Sequence, residues 1–485
     1  MSPALLWFRR DLRLADNPAL QTLLEDGHTP LPVYIHDEPD SDWQTGAASA
    51  WWLHHSLIAL QRSLQQHGSD LLVFQGDPLD ILTRLLQQTG ADRLAWNRLY
   101  EPAHRARDAR IRQALEKQGC HVSSHNAALL RGPRENLKKD GTPYRVFTPF
   151  WKKLHGIGPS RGIIGDSETL PAFDASHITD TVSVDSLELL PTVKWDKAFY
   201  THWTPGEDGA WKALQHFSDQ NLLDYTAHRD RPALAGTSHL SPHLHFGEIS
   251  PLQIWNSLSN RAATTTTRGI IPATESYLRE IAWREFSYHL LYHFPSTPLQ
   301  SMDKRFNGFP WRKNYKRDLQ RWQRGQTGIP LVDAGMRELW ATGYMHNRVR
   351  MIAASFLVKN LLIPWQEGAR WFWNTLVDAD LANNTMGWQW CAGCGADAAP
   401  YFRIFNPVLQ GEKFDKAGLY IRRWLPELAR LDNRFIHKPW AADPATLADA
   451  GVILGKDYPQ PLVDLQDSRR QALGAWDQVR QLQKT

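Results

Sequence analysis

Over the first 130 residues, short apolar runs alternate with longer stretches whose apolar positions recur every three or four residues. Ala4 to Phe8, Leu31 to Ile35, Leu71 to Phe74, Arg93 to Trp96 and His121 to His125 read as strands. Asn17 to Leu24, Ala47 to Gln66, Pro78 to Thr89 and Glu101 to Lys117 read as the helices between them. Asp16-Asn17-Pro18 and Asp77-Pro78 set a capping side chain before a proline, whose missing N–H is harmless in a first helical turn. Such alternation predicts an α/β domain, a doubly wound, Rossmann-like parallel sheet with ligands beyond the carboxyl ends of its strands. No GxGxxG follows any strand; Gly156-Ile-Gly158-Pro trails a helical stretch at the wrong spacing.

From about Leu130 the periodicity weakens, and Pro, Gly, Ser and Thr accumulate to Thr204, which reads as a long surface connector. Beyond Pro205 the pattern is nearly all helical, with clear amphipathic stretches at Gly209 to Gln220, Glu275 to Leu291, Leu331 to Ala341 and His346 to Leu361. Thr264 to Thr267 reads as a loop, and Asp464 to Leu482 as a terminal helix. The expected division is an α/β domain over 1–130, a connector over 131–204 and an all-α domain over 205–485, with no internal repeat.

Composition changes this picture in one respect. Of the 22 tryptophans, 15 lie between Trp195 and Trp440, more than core filling alone calls for. A formal charge of +4 permits nucleic-acid binding without arguing for it. Cys120, Cys391 and Cys394 cannot build a disulfide framework, and Cys391-Ala-Gly-Cys394 has no second cysteine pair to complete a zinc site, so no metal is expected. With charges so early in MSPALLWFRRDLRL no secretory signal is expected, and no apolar run approaches ~20 residues. The expectation is a cytoplasmic monomer without a membrane partner.

The densest chemistry lies in DADLANNTMGWQWCAGCGADAAPYFRIFNPVLQGEKFD, from Asp378 to Asp415. Asp378 and Asp380, adjacent asparagines and closely spaced indoles make a poor simple core, because buried polar groups need partners, but a good wall for a large flat ligand. Elsewhere, Glu280, Trp283 and Arg284 share one helix face by their spacing, as do Asn347, Arg350 and Met351. A buried asparagine at 347 and a buried Arg350 would both need partners; Asp378 is the preferred partner of Arg350.

These residues carry a resemblance. LLWFRRDLRLADNPAL from Leu5, TSHLSPHLHFGEIS from Thr237, LREIAWREF from Leu278, GQTGIPLVDAGMREL from Gly325, GYMHNRVRM from Gly343 and the Asp378 to Asp415 run are similar to blocks of the photolyase/cryptochrome family, in the family's order. Asn347 and Met351 resemble the dimer-facing pair of class I cyclobutane pyrimidine dimer photolyases; the histidine pair of (6-4) photolyases is not matched, His346 being one residue off. Asn384 matches the residue facing flavin N5, where plant cryptochromes carry Asp and insect ones Cys.

The resemblance implies FAD as cofactor and light-driven repair of pyrimidine dimers in UV-damaged DNA, with a cryptochrome-like photoreceptor or (6-4) photolyase as alternatives. It assigns Tyr225, Thr237, Ser238, Leu240, Ser241, Arg284, Arg350, Asp378, Asp380 and Asn384 to the flavin. Glu280, Asn347, Met351, Trp283 and Trp390 would hold and activate the flipped dimer; Trp388, Trp365 and Trp311 would form an electron relay. One extra residue separates Trp311 from the Gly325 block relative to some members. Trp283, Asn347, Trp390 and Arg403 would touch DNA, with Arg229, Arg231, Lys304, Arg305 and Lys413 as further phosphate contacts. A second, antenna chromophore is implied near His36 to Trp43 and Asn97 to Glu101, with Glu101 against the pterin of methenyltetrahydrofolate. Trp51-Trp52-Leu53-His54-His55 also suits a deazaflavin or FMN.

Overall fold

In the computed structural model, which describes residues 2–37, 42–165, 169–398 and 400–481, the apolar runs become five strands: β1 (Pro3–Phe8), β2 (Thr29–His36), β3 (Leu72–Gln75), β4 (Arg93–Asn97) and β5 (His121–His125). They pair in parallel in the order β3-β2-β1-β4-β5, so the topological switch lies between β1 and β4. Burial on both faces explains the unbroken apolar run of β1, in which Ala4 through Phe8 are each 0% exposed. Trp7 and Trp96, on neighbouring strands, meet edge-to-face at 5.7 Å.

The expected caps form. Asn17 accepts from the Leu20 N–H at 3.2 Å, and Asp77 from those of Leu79 and Asp80, starting helices Pro18–Glu25 and Pro78–Thr89. Helices Ala47–Gln66 and Pro102–Lys117 complete the alternation.

The 131–204 stretch is more than a surface connector. It contains a helix, Phe147–Ile157, that buries Phe147, Phe150, Trp151 and Leu154. Phe147 lies flat on Trp283, and Phe150 meets Phe286 at 5.2 Å, both on the long helix Ile270–His293. The surrounding prolines and glycines masked this three-four spacing. Among the later helices, the expected His346 to Leu361 stretch is Asn347–Ser355 followed by a π-helical turn, Phe356–Asn360. Glu207–His216 likewise runs into a π-helical turn, Phe217–Asn221. The terminal helix is Leu465–Gln481; Leu482, and residues 38–41 of the expected antenna stretch, lie outside the described residues. No described helix is long and apolar enough to cross a membrane.

The chain forms two compact units that interleave in sequence. The first comprises Met1–Leu223, Ser238–Pro295 and Val377–Ala379; the second comprises Asp224–Thr237, Ser296–Leu376 and Asp380–Thr485. Within the first, Asp16 joins distant stretches. It is fully buried at a φ of 53°, and accepts from both terminal nitrogens of Arg161, from the Ile164 N–H at 3.1 Å and from the Ser250 hydroxyl at 2.6 Å. Arg13 stands beside it and donates to the carbonyls of Gly247 and Ala127. Burial alone would raise the Asp16 pKa, but the Arg161 and Ser250 hydrogen bonds and the charge of Arg13 hold it below the ordinary aspartate value.

Asp16→Asn is therefore expected to destabilise this unit by about 3–5 kcal/mol at neutral pH, because two arginines lose their counter-charge. A lowered folded-state pKa supplies stability above the unfolded value of about 3.9 and loses it as pH falls through the folded value. The gap between wild type and variant in urea unfolding should thus be full at neutral pH and close in acid. A gap indifferent to pH would assign the loss to shape rather than charge.

Candidate functional site

The helix Ile270–His293 carries the first group of expected site residues. Glu280 and Trp283 are half-buried, one turn apart. One face of the Trp283 indole is clamped against Phe147, ring centroids 3.5 Å apart and planes within 8°. Phe147 is the functional neighbour that sequence reasoning missed; its only signal was the apolar spacing inside the presumed connector. Arg284, on the same helix, is held by backbone carbonyls. It is 8% exposed, donates to the Ala128 carbonyl at 2.6 Å and more weakly to that of Leu244, and lies 4.8 Å from the Tyr288 ring. These carbonyls take two of its five N–H donors.

Also in the first unit, Ser238 accepts from the Tyr277 hydroxyl at 2.8 Å and from the Leu240 N–H at 3.3 Å. The exposed Ser241 hydroxyl donates to buried Asp378 at 2.6 Å. Ser241 opens a short helix, Ser241–Phe246, that no side chain caps, and Leu240 just before it is buried. The Ser238 hydroxyl and the uncapped backbone N–H groups are donors that suit a diphosphate, while the Asp378 carboxylate is an acceptor that suits N–H groups at the polar edge of a flavin.

The second unit holds the other group. Tyr225 is buried under the guanidinium of Arg229 at 5.3 Å, and Thr237 is half-buried. Asn347 is exposed at the first turn of its helix, so the expectation of a buried amide fails: the position precedes the apolar stretch instead of sharing its burial. Met351, one turn on, is half-buried. Arg350 donates to the Met345 carbonyl at 2.6 Å and lies over Tyr344; it and Asp378 belong to different units. The helix start is fixed by Glu338, which accepts from the His346 N–H at 3.2 Å and the Tyr420 hydroxyl at 2.5 Å. Burial pushes the Glu338 carboxyl up to about 7, against those hydrogen bonds and the charge of Arg350.

Asp380 is the N-cap of Leu381–Ala392, accepting from the backbone and side-chain nitrogens of Asn383, each at 2.8 Å. Its carboxylate also complements the positive end of the helix. From this helix the half-buried Asn384 donates to the Ala369 carbonyl at 3.0 Å, and half-buried Trp390 tilts towards Phe405. Trp388 is buried between Phe372, at 5.0 Å, and Trp322. It presses on the neighbouring helix Trp365–Thr375 where Gly368 leaves room; a Cβ there would fall 2.0 Å from the indole. Trp365 is buried one turn earlier, its N–H donating to the Ser301 hydroxyl at 3.2 Å. Trp311 is half-buried, and the Arg312 N–H ties its segment to the Leu362 carbonyl. The three relay candidates thus occupy adjoining segments of one unit.

The cationic candidates are mostly exposed: Arg231, Lys304, Arg305, Arg403 and Lys413 face solvent, while Arg229 is half-buried. Arg305 is spent on Asp303. Glu101 is 4% exposed and ion-paired with Arg10, with His104 3.7 Å away. Cys391 and Cys394 are buried, and burial pushes both thiols up to about 12.

Residues 4–164 match the family described as DNA photolyase, and residues 277–478 the FAD binding domain of DNA photolyase. Fold and site together define a flavoprotein class with a parallel α/β sheet and a helical FAD-binding domain. The chain belongs to the photolyase/cryptochrome family. It is 47% identical to a deoxyribodipyrimidine photo-lyase of Agrobacterium fabrum, across 99% of this chain and 98% of that protein. It is 38% identical to cryptochrome-2 of Arabidopsis thaliana, across 99% of this chain and 79% of that one. A solved bacterial class III photolyase from Agrobacterium tumefaciens superposes with a TM-score of 0.94 at 46% identity, covering 99% and 98% of the two chains.

Gly368→Ala tests the packing of the Trp388 helix. The added methyl must displace the indole, which should cost about 1–3 kcal/mol and alter the near-ultraviolet circular dichroism. Gly387→Ala, whose Cβ meets nothing within 4 Å, serves as the control and should leave that spectrum unchanged. Equal spectra from the two variants would contradict the close contact.

Proposed function

We propose that this chain is a deoxyribodipyrimidine photo-lyase, splitting cyclobutane pyrimidine dimers in UV-damaged DNA under blue light. The observation that carries this reading is Trp283. A flat indole backed by Phe147, still half-exposed and one turn from a half-buried carboxylate, is a platform for an unstacked base with hydrogen-bonding groups at its edge. Trp390 and Asn347 would complete the hold on the flipped dimer, with Met351 filling the apolar side. Glu280 would hydrogen-bond the dimer's carbonyl edge and stabilise charge arriving there. The exposed Arg231, Lys304, Arg403 and Lys413 would meet phosphates.

FAD, when bound and reduced, supplies the electron that opens the cyclobutane ring. Tyr225, Thr237, Ser238, Leu240, Ser241, Asp378, Asp380 and Asn384 would hold it; Ser241 and Asp378 already share a hydrogen bond, and Asp380 and Asn384 are fixed by backbone partners. Arg350 would add positive charge, while Arg284 would brace the wall from behind. Trp388, Trp365 and Trp311 would pass electrons inward from the surface.

Although the sequence blocks resemble class I, the 46% identity to the Agrobacterium tumefaciens class III photolyase favours that subclass. We assign residues 1–130 to an antenna domain, 131–204 to the connection and 205–485 to repair, with the protein acting as a monomer. Methenyltetrahydrofolate is the antenna we favour. Glu101 would act there by fixing Arg10, its ion-pair partner, rather than by meeting the pterin.

The deciding experiment gives the photoreduced protein an oligonucleotide with a single cis-syn thymine dimer and follows recovery of thymine absorbance in blue light and in darkness. Light-dependent recovery is expected, and Glu280→Ala should slow it roughly 10²-fold while weakening DNA binding far less. No recovery from protein that retains reducible flavin would move the case to a photoreceptor, the reading its cryptochrome relatives carry.

A further inference from the structure

Beside Trp311 the second unit carries a cleft of about 690 Å³ that is open to solvent on one side. Its apolar side is Trp311, Phe306, Leu299 and Pro364. Its polar side is built from neutral groups, Gln300, Ser301, Asn307 and Gln366, together with one cation, Arg370, and one anion, Glu367. The two charges are 3.6 Å apart, and Glu367 also accepts from the Tyr315 hydroxyl at 3.2 Å. Arg370 nevertheless keeps 57% of its side chain exposed, and a guanidinium has five N–H donors. The cavity wall also reaches inward, because Ser301 accepts the Trp365 N–H.

If Trp311 is the outer end of an electron relay, each electron sent inward leaves an oxidised indole on this wall. That indole needs a donor within contact range. We propose that the cavity is a binding site for a small planar reductant of the enediol or hydroquinone class, carrying at most one negative charge. This rests on the relay reading of Trp311. The half-buried Trp311 indole offers a face for a planar ring, the amides and Ser301 suit vicinal hydroxyls, and Arg370 accommodates a single anionic oxygen. The nearly balanced pair of charges gives no reason to select a polyanion. With an enediol monoanion the step balances: the deprotonated indolyl radical takes one electron and one proton, restoring the Trp311 N–H, and the enediol becomes its radical anion. Where the indole radical cation is reduced before losing its proton, the enediol proton goes to solvent.

The probe is ascorbate. Flash excitation of the flavin-loaded protein is followed by the decay of the tryptophan radical absorbance at rising ascorbate concentrations, and ascorbate is also titrated calorimetrically in the dark. A decay rate that saturates is expected, with a dark binding constant matching the half-saturating concentration. Arg370→Ala and Asn307→Ala should each raise both values, the former about tenfold for one lost charge-assisted hydrogen bond, while the initial radical yield stays unchanged. Ferrocyanide, bulky and highly charged, should give a linear dependence. A linear ascorbate dependence with the same slope in wild type and both variants would overturn the binding site and leave the relay standing. Absence of any tryptophan radical would sink the relay, and the site with it.

Discussion

Buried carboxylates that accept several hydrogen bonds at once are the constraint on which the sheet-bearing unit depends. Asp16 gathers Arg161, Ile164 and Ser250; Glu248 gathers the Trp52 indole N–H, the Gly206 N–H and His243; Glu285 gathers the N–H groups of Leu130 and Arg131. In each case one oxygen pair spans stretches far apart in sequence. A buried carboxylate left with a single partner would be costly, so these clusters tolerate few alternative registers. Glu285 shows the tension directly: burial pushes its carboxyl up to about 7, while Arg284 and the two N–H groups pull it down. The helices that carry Trp283 and Ser241 are fixed to the sheet side by these links rather than by apolar packing alone.

The second unit uses the same device on a smaller scale, at helix starts. Asp380 caps the helix bearing Asn384, Trp388 and Trp390, and Glu338 receives the backbone at the beginning of the helix bearing Asn347 and Met351. Capping sets a helix's rotation as well as its start, because only one register satisfies the first-turn N–H groups. Close approach does the rest. With no side chain at Gly368, Trp388 lies against the next helix, within one turn of Trp365.

The α/β half was legible because its signals are local. Five apolar runs and two proline-adjacent caps delivered strands and helices with ends off by a residue or two. The helical half was legible as helix, but the π-helical turns at Phe217–Asn221 and Phe356–Asn360 left no trace in a three-four apolar pattern. Phe147–Ile157 was lost to the prolines and glycines around it. At the site, the sequence reading named Trp283 without Phe147 and gave Asn347 a burial it does not have. The Trp283–Phe147 contact joins residues far apart in sequence, which periodicity cannot report.

The Cys391-Ala-Gly-Cys394 stretch illustrates what burial adds to a motif. Its spacing suggested redox chemistry or half a metal site, yet both thiols lie in an apolar setting that pushes them up to about 12 despite the nearby ammonium of Lys359. Burial in turn lowers Lys359 to about 7, and its side-chain nitrogen donates to the Tyr401 carbonyl and faces the Tyr401 ring at 3.4 Å. At neutral pH the cysteines are therefore thiols, and the thiolate is the form that reacts readily.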